Sequence, residues 1–224
     1  MRARPPETDP ARPAREEHRP VTAPWIVGIT GASGGPYAVR FLEVLTAHAV
    51  PVWLIVSEHG WRLLDTECGI ADLETLRART GGDWTTVEVF DPADRGARPA
   101  SGSARSAGMV LCPCSMGTVS ALAHGSSRSL IERAGDVVLK ERRRLIVVPR
   151  ETPLSLVHLR NLITLAEAGA VVLPAAPGFY HRPSTVGALV DFVVQRVVDH
   201  MDLNLDLAPR WQGDEVPPPP FTVV

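Results

Sequence analysis

The sequence predicts a single α/β domain, a three-layer sandwich with helices on both faces of a mostly parallel, doubly wound sheet. Three observations carry that expectation. Short β-branched runs bounded by Gly, Pro or Ser alternate with segments of helical periodicity, the pattern of successive βαβ units. The runs are apolar throughout, as strands covered on both faces are. The first run, within Trp25 to Tyr37 (WIVGITGASGGPY), passes straight into a glycine-rich turn and then a helix.

The elements follow in order. Residues 1–24 are rich in Pro, Arg and Glu with almost no apolar content, too little to offset the entropy of ordering them, and are expected to be a disordered extension. Its Glu7, Asp9, Glu16 and Glu17 argue against an organelle transit peptide. The domain spans 25–203, with strands at Ile26 to Thr30, Val52 to Ser57, Val87 to Phe90, Met109 to Cys112, Leu145 to Val148 and Val171 to Leu173. Helices are expected near 36–48, 58–67, 116–123, 127–142, 154–168 and 184–202. Ser126 or Ser127 would cap the fourth, whose core stripe is Leu130, Ile131, Ala134, Val137 and Val138. Thr152 or Ser155 would cap the fifth. Residues 204–224 carry four successive prolines and read as an irregular tail, or an arm packed on a neighbour, with Trp211 its one large anchor.

Composition narrows the function. With 224 residues, 45% hydrophobic, and a formal charge of −2, the chain suits a globular enzyme or binding domain and gives no reason to expect nucleic acid. No apolar run approaches the ~18 residues of a membrane span and no secretory signal opens the chain, so the cytoplasm is the expected location. Cys68, Cys112 and Cys114, an odd number, read as reduced thiols. Cys112-Pro-Cys114 lacks the second pair or clustered His of a zinc site and reads as two small buried hydrophobes.

Ligands of such sheets gather at the carboxyl ends of the strands. There, Gly31, Gly34 and Gly35 tolerate positive φ and bare the backbone N–H groups, Ser33 adds a hydroxyl, and Pro36 suits a first helical turn, so the turn reads as a phosphate grip. It is neither GxGxxG nor a P-loop, since no Lys-Ser/Thr pair follows. The small-residue segments ASGSARSAG and CPCSMGT would let a flat ring lie close to the backbone. Arg133, Lys140, Arg150, Arg182 and Arg196 are expected to converge on this one edge, with Glu58, Glu67, Glu151, Tyr180 and His181. That concentration on an acidic chain points to an anionic ligand carrying a second phosphate.

The segments GITGASG, ASGS, CPCSMGT, LIERAGDVVLKERR, VVPRETPLS, HLRNLITLAEAGA and LPAAPGFYHRP, spread from Trp25 to about Trp211, closely resemble the flavin prenyltransferases (the UbiX-like family). The resemblance implies a Rossmann-like homododecamer that joins a dimethylallyl group to reduced FMN, the prenylated FMN then serving a partner decarboxylase. It assigns FMN to Gly31, Ala32, Ser33, Ser57, Ser101, Ser115, Met116 and Arg133. Lys140, Arg150, Glu151, Tyr180 and Arg196 match positions that hold dimethylallyl monophosphate and assist loss of its phosphate, and Trp211 would close a neighbour's site. Glu67 matches the acidic residue near the reacting ring. The chemistry suits these residue types: breaking the allylic C–O bond leaves a phosphate dianion and a delocalised cation, which cations and a phenol aimed at the phosphate stabilise without a metal. No Asp-rich magnesium-diphosphate motif is present. Glu67 or the released phosphate would take the final ring proton.

One departure is clear: where many relatives carry a large apolar residue before ASGS, this chain has Asp94, Arg95 and Gly96. Two other readings compete. An FMN-dependent cysteine decarboxylase of related fold would carry a His soon after the glycine turn, whereas the first here is His48, and a PxMNxxMW segment where this chain has PRETPLSLVH. A non-catalytic FMN carrier would not need Lys140, Arg150, Glu151 and Tyr180 together. His124 and His158 read as structural helix residues, and Trp25, Trp53 and Trp61 as packing residues.

Overall fold

Every residue of β1 (Trp25–Ile29), β2 (Val52–Val56) and β4 (Gly108–Cys114) is buried, which is why these runs carry no polar alternation. The computed structural model describes residues 23–211 and 213. Almost all of the 1–24 extension and most of the 204–224 tail lie outside them. With β3 (Val87–Phe90), β5 (Arg144–Pro149) and β6 (Val171–Val172) the strands form one sheet in the order β3-β2-β1-β4-β5-β6, each neighbouring pair parallel.

Among the described residues, seven α-helices cover the two faces. On one, α1 (Gly35–Ala47), α2 (Glu58–Cys68), α3 (Leu73–Thr80) and α7 (Val186–His200) bury Phe41, Leu42, Leu64, Leu76, Val194 and Val197 against Val27, Leu54 and Val110. On the other, α4 (Met116–Ala123), α5 (Leu130–Lys140) and α6 (Leu156–Glu167) bury Val119, Leu130, Ile131, Ala134, Val138 and Leu165 against Ile26, Ile55, Leu111 and Val147. Each fully buried Leu or Ile contributes roughly 1.5–3 kcal/mol of transfer free energy, so this double core dominates the stability.

Three local details differ from the sequence expectation. Helix α3 was not anticipated: it is short and mostly exposed, so its apolar periodicity is weak, yet Asp72 and Thr75 form a reciprocal capping box at its start. Helix α5 is capped by Ser129, whose Oγ accepts the Glu132 N–H at 3.3 Å, and not by Ser126 or Ser127. Gly125 at φ 66° and a Ser126 N–H donated to Ala121 O still belong to the end of α4, which pushes the next helix downstream. The start of the C-terminal segment folds back on its own α7, with Leu203, Leu205 and Leu207 joining the core of that face. The stripe expected for α5 is buried as read, Ser155 caps α6, and His158 completes a capping box there.

Because helices return antiparallel to the strands, one chain cannot bring all its cations to one edge. Helix α5 begins at the carboxyl edge and ends with Lys140 at the amino edge, where Arg144 enters β5 opposite Gly108. The six residues of β5, at about 3.3 Å each, then place Arg150 roughly 20 Å away. The expected convergence of Lys140 and Arg150 therefore does not occur within a single chain.

Candidate functional site

The sheet's switch point lies between β1 and β4, where the chain leaves in opposite directions and a crevice opens beyond the carboxyl ends. Thr30, just after β1, ties its walls together. Its hydroxyl donates to Pro113 O at 3.1 Å and accepts the Ser115 N–H at 2.7 Å, while its own N–H reaches Pro113 O at 3.2 Å. The third wall is fastened by Ser57, whose N–H donates to Ile29 O at 3.0 Å. Ser57 Oγ caps α2 by accepting the Gly60 N–H at 3.0 Å, and Ser115 Oγ caps α4 by accepting the Thr118 N–H at 3.3 Å. The N-termini of α1, α2 and α4 thus face one crevice, each with its partial positive charge. Met116, the first residue of α4, is buried beneath it.

The glycine turn does grip an anion, and that anion is the protein's own. Glu67 Oε2 accepts the backbone N–H groups of Gly34 at 2.9 Å and Gly35 at 2.7 Å. Gly34 sits at φ 134°, a conformation that favours glycine. Burial alone would raise the Glu67 pKa, but the Gly34 N–H, the Ser33 hydroxyl, the Gly35 N–H and the Arg150 charge outweigh it and hold the carboxyl below its ordinary value. The phosphate-grip expectation is corrected at these two donors. Arg150 also acts on Tyr37, whose phenol is raised by burial and by the Cys112 thiol and partly restored by that cation. Glu67, Arg150 and Tyr37 therefore share one electrostatic environment, in which Tyr37 was missed because it reads as an ordinary first-turn residue.

The remaining expected residues fall into separate groups. Gly31 and Ala32 form the base of the turn, and a Cβ added at Gly31 would lie 2.5 Å from His59 Cβ. Arg133 pairs with Asp136 at 2.9 Å on the flank of α5. Lys140 pairs with Glu141 at 2.5 Å beside the Ser101–Ser106 loop, where a Cβ on Gly102 would be 2.9 Å from Lys140 Nζ. Arg143, missed inside the surface-like run Arg142–Arg144, clamps this loop by donating to Gly102 O at 2.6 Å, Ala104 O at 2.8 Å and Ser106 Oγ at 3.2 Å. Glu151 is exposed and accepts the Thr152 N–H at 3.1 Å. Tyr180, Arg196 and Trp211 line a cavity of about 260 Å³ against α7, apart from both Lys140 and Arg150. Arg95 is exposed in its loop; it is Arg98 that lies over the Trp53 and Phe90 rings.

Three helix N-termini meet at this switch-point crevice, the usual place for an anionic ligand in such a sheet, and the sequence profile described as Flavoprotein matches residues 13–198. The chain is 46% identical over 191 residues to the flavin prenyltransferase UbiX of Alkalihalophilus pseudofirmus, covering 83% of this chain and 94% of that protein. It is 44% identical to the Pseudomonas aeruginosa flavin prenyltransferase UbiX, covering 83% and 92%. The chain belongs to the flavin prenyltransferase family. Among solved structures it superposes on AnUbiX (PadA1), described as a complex with FMN and dimethylallyl pyrophosphate, with a TM-score of 0.78 and 37% identity over 86% of this chain and 99% of that one. A dodecameric FMN-dependent UbiX-like decarboxylase from Escherichia coli O157:H7 matches at 0.77 and 39%, over 84% and 99%. The FMN-dependent cysteine decarboxylase TvaF, at 17% identity and 0.52, shares the fold alone.

Proposed function

We propose that this family member joins the dimethylallyl group of dimethylallyl monophosphate to reduced FMN, giving prenylated FMN for a partner decarboxylase. The observation that carries the reading is the Ser33, Glu67 and Arg150 cluster at the switch point, in a chain otherwise built like its flavin prenyltransferase relatives. The residues fit FMN: Ser57 and Ser115 follow β2 and β4 at the carboxyl edge, where they cap α2 and α4 and leave hydroxyls and helix N-termini at the crevice, while Gly31 lets the turn pack directly on His59. Reduced FMN supplies the electron-rich ring that takes the allyl group. Ser33, Ser57, Ser115 and Met116 would hold it from one chain, with Gly31 and Ala32 beneath.

The leaving phosphate needs positive charge and hydrogen-bond donors: Arg150, Lys140 and Arg196 would supply the charge and the Tyr180 phenol an O–H donor. Since Lys140 and the Ser101 loop lie at the amino edge, and Tyr180 and Arg196 line a cavity apart from Arg150, the reading requires further copies of the chain to bring these groups together at one crevice. A homo-oligomer, dodecameric like the Escherichia coli protein, is supported by an apolar α6 surface: Leu156, Val157, Leu159 and Ile163 are all exposed in the single chain. In this reading Glu67, held as a carboxylate by the Gly34 and Gly35 N–H groups, or the released phosphate takes the proton that must finally leave the ring. No helix among the described residues is long and apolar enough to cross a membrane, and a cytoplasmic site is part of the proposal.

Anaerobic incubation of the protein with reduced FMN and dimethylallyl monophosphate, without added metal, followed by mass analysis, tests this. A flavin heavier by one five-carbon unit, absent with Lys140→Ala, is the expected result. Unchanged flavin with both proteins would replace the transferase by an FMN carrier. Repeating the reaction with the diphosphate decides which donor is used.

A further inference from the structure

The C-terminal arm lines one side of the cavity beside α7, and it brings a cation of its own, Arg210. Gln195, 4% exposed, anchors it: Oε1 accepts the N–H groups of Leu207 at 2.5 Å and Ala208 at 3.3 Å, and Nε2 donates to Leu205 O at 2.9 Å. Arg210 and Trp211 follow directly. The Trp211 ring meets Tyr180 edge-on at 5.4 Å, and Phe192 meets Tyr180 at 5.8 Å, giving the cavity an aromatic wall. Asp199, whose side chain is 17% exposed, sits between two guanidinium groups. Its Oδ2 accepts from Arg196 at 2.7 Å and its Oδ1 from Arg210 at 3.0 Å, while Gln195 Nε2 donates to Oδ1 at 2.8 Å. Arg210 also reaches the exposed Asp206 at 2.9 Å.

Two guanidinium groups converging on one carboxylate, in a cavity that a phenol and an indole also line, offer what a short-chain allylic phosphate needs: forked donors for the phosphoryl oxygens, aromatic surface for five carbons. We propose that Arg210 is a further donor-binding residue, contributing a second guanidinium beside Arg196 to the phosphoryl group, and that Asp199 is a positioning residue whose carboxylate stands in for that phosphate until the donor displaces it. The inference rests on the transferase reading for the identity of the donor. The two-arginine anion site itself does not depend on turnover.

Calorimetric titration of the full-length, FMN-loaded protein with inorganic phosphate and with dimethylallyl monophosphate tests it, FMN keeping the flavin's own phosphate site filled. Arg210→Ala is expected to weaken both ligands by about tenfold or more, and Arg210→Lys, which keeps charge but loses the fork, by less. Asp199→Asn removes the competing charge and is expected to leave phosphate affinity equal or higher. If Arg210 only straps the arm down, Asp199→Asn will weaken phosphate as Arg210→Ala does, and the proposal falls. It falls equally if Arg210→Ala binds as the wild type does, or if the wild type binds no phosphate. Arg210-dependent phosphate binding in a protein that forms no prenylated flavin would overturn the transferase reading and leave the anion site standing.

Discussion

Glu67 Oε2 lies 2.7 Å from the backbone nitrogen of Gly35, so the last turn of α2 supplies the anion that the start of α1 requires. Hydrogen bonds to a charged group contribute about 1.5–3 kcal/mol net of the hydration they replace, and less where, as here, the carboxylate is only partly buried. Glu67→Gln, which keeps the shape and loses the charge, should lower unfolding free energy at neutral pH by about 1–2 kcal/mol, measured by urea denaturation. The sign with pH follows from the carboxyl being held below its ordinary value: the contribution is complete above the usual carboxylate range and disappears as pH falls through the depressed folded value. The variant should therefore lose less stability on acidification than the wild type. Prenylated-flavin formation should fall as well, and an undiminished rate would exclude Glu67 from proton transfer.

Lys140 and Arg150 stand at opposite edges of one sheet, and the proposed chemistry needs both. Lys140→Ala and Arg150→Ala should each abolish product formation. Co-expressed in one cell, they should assemble mixed oligomers in which about a quarter of the sites combine a native Lys140 from one chain with a native Arg150 from another. Recovery of turnover in the mixture is the expected outcome. Persistent inactivity in verified mixed oligomers would place both residues in a same-chain site.

Gln195 holds the arm through three backbone groups of residues 205–208. Gln195→Ala leaves those groups without their partner, a loss of about 1–3 kcal/mol. Hydrogen exchange of the Leu207 and Ala208 amides should accelerate strongly while α1 and α5 amides keep their protection. Uniform acceleration would mean that the arm is not separately anchored.

The two thiols that bracket Pro113 are fully buried. Burial raises the Cys112 thiol to about 12 and pushes Cys114 further still, so neither carries thiolate at neutral pH. Cys68, partly exposed, is raised more modestly, by burial and then by the neighbouring Glu67 charge, against a weaker pull from Arg79. Native alkylation with iodoacetamide should label Cys68 alone, and slowly, with all three labelled after denaturation. Rapid native labelling at Cys112 or Cys114 would contradict the burial and exclude their role as inert packing groups.

Sequence alone determined the layered α/β class, the positions of all six strands to within a residue or two, the core stripe of α5 and the identity of the family. These depend on hydrophobic periodicity, on turn chemistry and on long unusual motifs, which are local properties of the chain. It did not disclose α3 or the cap at Ser129, because a short exposed helix and three closely spaced serines leave almost no periodic signal. The partners of functional groups were decided only by tertiary structure: that the glycine turn holds Glu67, that Arg143 clamps the Ser101 loop, that Asp199 gathers Arg196 and Arg210, and that Lys140 lies a strand's length from Arg150. Residue type states which charges a chain carries. Which of them meet depends on the direction in which each helix runs back along the sheet, and distances of that kind exist only once the strands have paired.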